Sequence, residues 1–150
     1  MPGSSLFAGA SIGLALLATM GCANATRPFP VKGTILFEDG QPAGELVNYL
    51  VAFESPKHHT SAVGVVGEDG TFHLKTFKDN DGAIPGSYRV ILTPPLPPEM
   101  QTDRRRPKTK GIPSLIDPRY EKSDSTELTA TVEPRDNVII LPVKRAKRRG

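Results

Sequence analysis

One cysteine, no tryptophan and an aromatic content of only 6% set the first limits on this 150-residue chain. A single cysteine excludes an intramolecular disulfide framework and every zinc or iron–sulfur site built from several cysteines. A nucleophile elbow of the G-x-S-x-G kind, an H-E-x-x-H pair, a phosphate-binding P-loop and a Cys–His pairing are all missing. No 11-residue window beyond the N-terminal segment carries a helical hydrophobic period. Charge is absent from residues 1–26, and Arg27 is the first charged side chain.

What is abundant is punctuation. Fifteen prolines and 14 glycines point away from a helical bundle, and the length suits one domain. The net charge of +3 is unevenly spread. Arg104, Arg105, Arg106, Lys108 and Lys110 form one basic cluster; Lys144, Arg145, Lys147, Arg148 and Arg149 form another. Without those ten, nine basic residues face 16 acidic ones, so the remainder sits near −7. Basicity confined to a loop and a tail is unlike the shaped basic surface of a nucleic-acid-binding fold. Neither cluster contains an aromatic residue on which bases would stack, so nucleic acid is not an expected partner.

The uncharged opening reads as an address. Leu6 to Gly21 is apolar and rich in small residues, too short for a stable membrane span but suited to a signal-peptide core. Gly21-Cys22 looks like the end of a bacterial lipobox, with Thr19-Met20 filling the preceding positions poorly. Ala23-Asn24-Ala25 is a competing A-x-A site for ordinary signal peptidase. Lipid attachment at Cys22 is the expectation, with cleavage after Ala25 as the alternative; either way the chain is exported.

From Val31 onward the pattern has period two, broken by turn residues. Val31, Gly33, Ile35 and Phe37 fall on one face. Val47, Tyr49, Val51 and Phe53 form a second set, and residues 62–66 a third short strand. Glu68-Asp69-Gly70 reads as a tight hairpin turn, with Gly70 free to take positive φ. Phe72 and Leu74 follow, then Tyr88, Val90 and Leu92, then Leu128, Ala130 and Val132, and finally 138–143. These spacings predict an all-β, seven-stranded antiparallel sandwich with Tyr49 and Tyr88 in its core. Residues 94–118 hold seven of the 15 prolines and one basic cluster, so they form a long loop. Ile112, Leu115 and Ile116 are expected to pack its second half back, leaving 94–110 mobile.

Three stretches carry a family resemblance. Val31-Lys32-Gly33-Thr34-Ile35, with Asp39-Gly40-Gln41-Pro42 and residues 47–53, resembles the opening of carboxypeptidase regulatory-like (transthyretin-like) domains. GEDGTFHLKTFKDNDGAIPGSYRVIL, residues 67–92, is similar to that family's Asp-Gly-x-Phe and Asp-Gly-Ala-x-x-Gly-x-Tyr-x-Val pattern. Tyr120, Ser125, Leu128, Val132 and Asn137 resemble the closing residues of small bacterial lipoproteins built on it. The resemblance covers roughly 30–143. It implies an immunoglobulin-like or prealbumin-like sandwich on an exported, often lipid-anchored protein, and it implies no catalysis.

The organisation expected is therefore a lipoprotein signal peptide at 1–21 (1–25 in the alternative) and a tether at 22–29. The sandwich then spans 30–143 with its proline-rich basic loop at 94–118, and a basic tail fills 144–150. The function expected is a non-catalytic, structural or adhesive role in the bacterial cell envelope, anchored in a membrane through Cys22 and facing another envelope protein or an anionic polymer. The alternative is a small secreted or periplasmic module binding an anionic ligand or polymer through Arg104, Arg105, Arg106, Lys108, Lys110 and the tail. No cofactor and no metal are expected. His58, His59 and His73 read as solvent-exposed histidines rather than ligands, and Ser87 as a strand-edge hydroxyl. A Lys32–Asn137 isopeptide, as in collagen-adhesin B-type modules, lacks the acidic proton shuttle at Ile91 and Leu92. The C-terminal Tyr-Arg-Gly-Ser of transthyretin-like hydroxyisourate hydrolases is likewise absent.

Overall fold

The computed structural model of the chain describes residues 27–57, 59–95 and 113–147. Seven strands run through them: β1 (Val31–Phe37), β2 (Leu50–Glu54), β3 (Ser61–Val65), β4 (Thr71–His73), β5 (Gly86–Thr93), β6 (Thr129–Val132) and β7 (Asn137–Val143). They form a three-stranded sheet in the order β4-β1-β7 and a four-stranded sheet in the order β3-β2-β5-β6. No α-helix occurs among the described residues; the only helical pieces are 3-10 turns at Gly44–Leu46 and Pro118–Glu121. The segment expected to be a signal peptide, Cys22 and most of the basic loop lie outside the described residues.

The period-two sets become the inner faces. Along β1, Val31, Gly33, Ile35 and Phe37 are buried while Lys32 is exposed; Tyr88, Val90 and Leu92 are buried on β5. Phe53 from β2 joins the two sheets. Its ring lies 6.1 Å from that of Phe72 on β4 and 5.8 Å from that of Tyr88, both tilted as aromatic pairs prefer. Phe72 in turn lies over Gly33, its cross-strand partner. A Cβ on residue 33 would fall 2.0 Å from the Phe72 Cζ, so the glycine is what lets the ring lie flat on the backbone of β1.

Two features depart from the sequence expectation. The sandwich is not wholly antiparallel: β1 and β7 pair in parallel along their full lengths, from Val31 opposite Asn137 to Phe37 opposite Val143. The cause is the turn at 133–136, which carries the chain from β6 in one sheet to β7 in the other instead of closing a hairpin. The second strand also starts later than its alternation suggests. Gly44–Leu46 form a 3-10 turn, and Asn48 takes positive φ (67°) before β2 begins at Leu50. Tyr49 nevertheless stays buried, because its carbonyl accepts from Val66 and its hydroxyl accepts from the Leu115 N–H.

The two sheets also meet at one edge. After β4 the chain leaves β1, and Lys75 exchanges both backbone hydrogen bonds with Val63 of β3, each 2.8 Å. Gly33→Ala is expected to destabilise the fold by about 1–3 kcal/mol through overpacking. Pairing it with Phe72→Leu should restore part of that loss, because the two positions share one contact. Urea unfolding of the two single variants and the double variant measures the coupling, and strict additivity would disprove the contact's role.

Candidate functional site

The parallel β1–β7 pair defines two ends. The near end holds residues 27–30, where the chain joins β1, together with the β2–β3 turn, the 76–85 loop and the 133–136 turn. The far end holds residues 38–49, the 66–70 turn, the two stems of the long loop and the residues after β7. The stretch that carries the family resemblance is spread over both.

Asp69 builds the far-end turn. Its carboxylate accepts from the Thr71 hydroxyl (2.7 Å) and backbone N–H (3.0 Å), and these bonds hold the carboxyl below its ordinary value. Gly70 takes φ 75°, as a tight Asp-Gly turn requires.

Asp81 builds the near-end loop. Its two carboxylate oxygens accept the backbone N–H groups of Thr76 (2.7 Å), Phe77 (3.0 Å) and Lys78 (2.9 Å). Partial burial pushes this carboxyl up, but the N–H donors outweigh it and the group rests below its ordinary value. Gly82 follows at φ 87°, with the Phe29 carbonyl where a Cβ would stand, and Ala83 exchanges both hydrogen bonds with Phe29. Tyr88 then donates its hydroxyl to the Ile84 carbonyl at 2.6 Å, four residues upstream, in the manner of a tyrosine corner. Burial raises the Tyr88 hydroxyl above its ordinary value, partly countered by that bond. Aspartate, glycine and tyrosine of the most distinctive motif thus all serve backbone geometry.

The later motif residues do the same. The Tyr120 hydroxyl accepts from the Lys144 N–H, and the Ser125 hydroxyl donates to the Arg119 carbonyl. The Asn137 side chain accepts from the Glu133 N–H and donates to the Glu133 carbonyl, closing the 133–137 turn. Lys32 is registered with Val138 rather than with Asn137, and its side chain is exposed.

At the far end the residues after β7 are tied down. Ile116 and Arg145 form a β-bridge, Asp117 N–H donates to the Lys144 carbonyl, and Ala146 N–H donates to the Leu115 carbonyl. The Arg145 guanidinium lies 3.6 Å from the Phe37 ring centroid, 2.8 Å from Glu45 and 3.8 Å from Asp39. Lys144 sits 3.7 Å from Glu38. Two cations of the expected basic tail are therefore matched by acids of the β1–β2 connection. Ile116 is fully buried, as the packing-back of the loop's second half requires, while Leu115 stays half exposed. Arg104, Arg105, Arg106, Lys108, Lys110, Ile112, Arg148 and Arg149 lie outside the described residues.

A surface hollow of about 250 Å³ opens beside these pairs, lined by Glu38, Tyr120, Glu127 and Lys144 among others. Its charged groups are already engaged: Glu127 accepts from Arg119 at 2.8 Å, and Arg119 also pairs with Asp117 at 3.1 Å. The Arg119 N–H and guanidinium hold the Asp117 carboxyl low. A second hollow of about 370 Å³ runs beside Leu50, Val65, His73 and Lys75. His73 and His59 are exposed and His58 lies outside the described residues; no cluster of three metal-binding side chains occurs among those described.

The Asp81 cap generates a pH signature. A carboxyl held low contributes stability that is complete above its unfolded value, near 3.8, and is lost as pH falls through the depressed folded value. Asp81→Asn is expected to cost about 1–3 kcal/mol at neutral pH, because charge-assisted bonds become neutral ones. The gap between the variant and the native chain should shrink below pH 4 in urea unfolding. An unchanged gap would show that the carboxylate's charge is not what holds the loop.

No protein-family model matches the chain, and no curated protein matches it. Among solved structures it is similar to a DUF3823 family protein from Parabacteroides merdae ATCC 43184, at 15% sequence identity and a TM-score of 0.38. That likeness covers 80% of this chain and 46% of the other, so the chain spans less than half the length of that structure. The carboxypeptidase regulatory-like resemblance thus stands on the residues quoted above, and the fold on the two sheets those residues build.

Proposed function

We propose that the chain is an exported, non-catalytic β-sandwich, anchored through a lipid on Cys22, with a structural or adhesive role in the bacterial envelope. The observation that carries the non-catalytic part is the use made of the motif. The Asp81 carboxylate is taken up by three backbone N–H groups, Gly82 by close approach to Phe29, and the Tyr88 hydroxyl by the Ile84 carbonyl. A carboxylate with its lone pairs so occupied is a poor proton acceptor, and a tyrosine raised by burial is a poor source of phenolate. The anchor is supported by the apolar segment at 6–21 running directly into Gly21-Cys22. Intact N-terminal mass tests it. A diacylglyceryl group on Cys22 in protein from native membranes is the expected result, and a mature N-terminus at Thr26 in the medium would overturn the anchor.

A second reading is favoured by one specific contact, the Ala146 N–H to the Leu115 carbonyl at 3.0 Å. It places the returning stem of the basic loop beside the start of the tail, so both clusters are tethered at one spot. In this reading the far end takes an anionic polymer. Lys144 and Arg145 are engaged by Glu38, Asp39 and Glu45, which leaves Arg104, Arg105, Arg106, Lys108 and Lys110 to do the work. Binding to polyphosphate should weaken steeply with salt, and replacing Arg104, Arg105 and Arg106 by Ala should flatten that dependence. Binding that survives the triple replacement unchanged would eliminate the loop as the contact.

A further inference from the structure

The near end of the sandwich carries an apolar side chain that the fold does not use. Phe77 is 68% exposed, yet its backbone N–H is held by the Asp81 carboxylate at 3.0 Å. Its own N–H and those of both neighbours bond to Asp81, and the Thr76 hydroxyl donates to the Gly82 carbonyl at 2.8 Å. A rigid loop that keeps a phenyl ring in water gains nothing from it within the fold. Scattered exposed apolar residues are ordinary, so the ring alone argues nothing. Its location argues more.

Gly82 and Ala83 of this loop pack directly on Phe29, and Asn137 donates its N–H to the Pro30 carbonyl on the other side. The chain therefore reaches β1 between the Phe77 loop and the 133–137 turn. Val138, 81% exposed, follows that turn on the outer face. Only seven peptide steps separate Cys22 from Phe29, at most about 25 Å of extended chain. A lipid on Cys22 consequently keeps this end of the sandwich within about 25 Å of the bilayer. The charges around the ring are paired off: Lys75 with Asp79 at 3.0 Å, Arg135 with Glu133, and Arg27 over the Phe29 ring at 4.8 Å.

We infer that the near end docks on the phospholipid surface, with Phe77 entering the headgroup–acyl boundary and the neighbouring Lys78 reaching the phosphates. The inference rests on the anchored reading above. One phenyl ring is too little to hold a protein on a membrane from bulk solution. Added to a lipid anchor it acts at high effective concentration and fixes orientation rather than affinity. The residues just after β7, at the opposite end, then lie away from the bilayer.

The lack of tryptophan makes this directly measurable, because any introduced tryptophan is the sole indole reporter. Phe77→Trp and Lys78→Trp report the near-end loop; Leu115→Trp, half exposed at the far end, is the control. Each variant is purified from membranes with its lipid and reconstituted on vesicles of phosphatidylethanolamine and phosphatidylglycerol, with acyl chains brominated close to the headgroup. The expected result is a blue shift and at least a halving of emission at positions 77 and 78, with position 115 unchanged. Equal quenching at all three positions, or none at any, in protein whose mass shows the lipid on Cys22 overturns the docked orientation and leaves the anchor standing. A mass without lipid on Cys22 overturns the anchored reading and this inference with it. A blue shift at position 77 that depends on protein concentration without vesicles assigns the surface to a second copy and overturns the membrane.

Discussion

The parallel pairing of β1 with β7 is the constraint on which the rest of this molecule depends. Seven consecutive residue pairs, from Val31–Asn137 to Phe37–Val143, lock the first and last strands in one direction. Because both strands start at the same end, the N-terminal connection and the 133–136 turn must be neighbours, and the residues after Val143 must leave from the opposite end. That single register separates the start of β1 from the residues after β7 by the length of β1, about 20 Å at ~3.3 Å per residue. It also buries Leu141 and Val143 against the inner face and leaves Val138 and Ile140 outside.

The register is secured by side chains that act on backbone. Asn137 closes the turn that delivers β7, Asp81 and Gly82 shape the loop that holds Phe29 and Pro30, and Tyr88 pins the start of β5. Each of these replaces a missing backbone partner in a connection that lacks regular pairing, which is where an all-β fold is most exposed to error. This is why a motif so distinctive in sequence leads to geometry and not to a reactive cluster. Aspartate, glycine and tyrosine recur in enzymes for their chemistry, but here both Asp81 oxygens are spent on backbone N–H groups and the Tyr88 hydroxyl on a carbonyl.

Much of the fold was legible because burial in a sandwich has a period of two. The alternating sets on β1, β5 and β6 could be assigned from Val31, Ile35, Tyr88, Val90, Leu128 and Val132 alone, and the Asp69-Gly70 turn from its dipeptide. Alternation says which face a residue occupies but not which strand lies beside it, so the parallel β1–β7 pair was hidden. It also misplaced the start of β2, because Val47 and Tyr49 keep the period through the turn that follows Gly44–Leu46, where no strand exists. Arg145 read as part of a basic tail. Its partners Asp39 and Glu45 lie about a hundred residues away, and only the folded register brings them within an ion pair. Phe77 carried no signal at all, since exposure of a phenyl ring is a property of the loop around it.

These placements give the charge distribution a sense that the net value of +3 conceals. The acids Glu38, Asp39 and Glu45 gather at the far end and meet Lys144 and Arg145 there, so the basic tail begins by neutralising the sandwich that carries it. Pro95 and Pro113, the stems of the long loop, lie at that same end. Charges at the near end are separated from it by the strand length, more than two Debye lengths at physiological salt, where the Debye length is about 8 Å. The two ends are thus electrostatically independent.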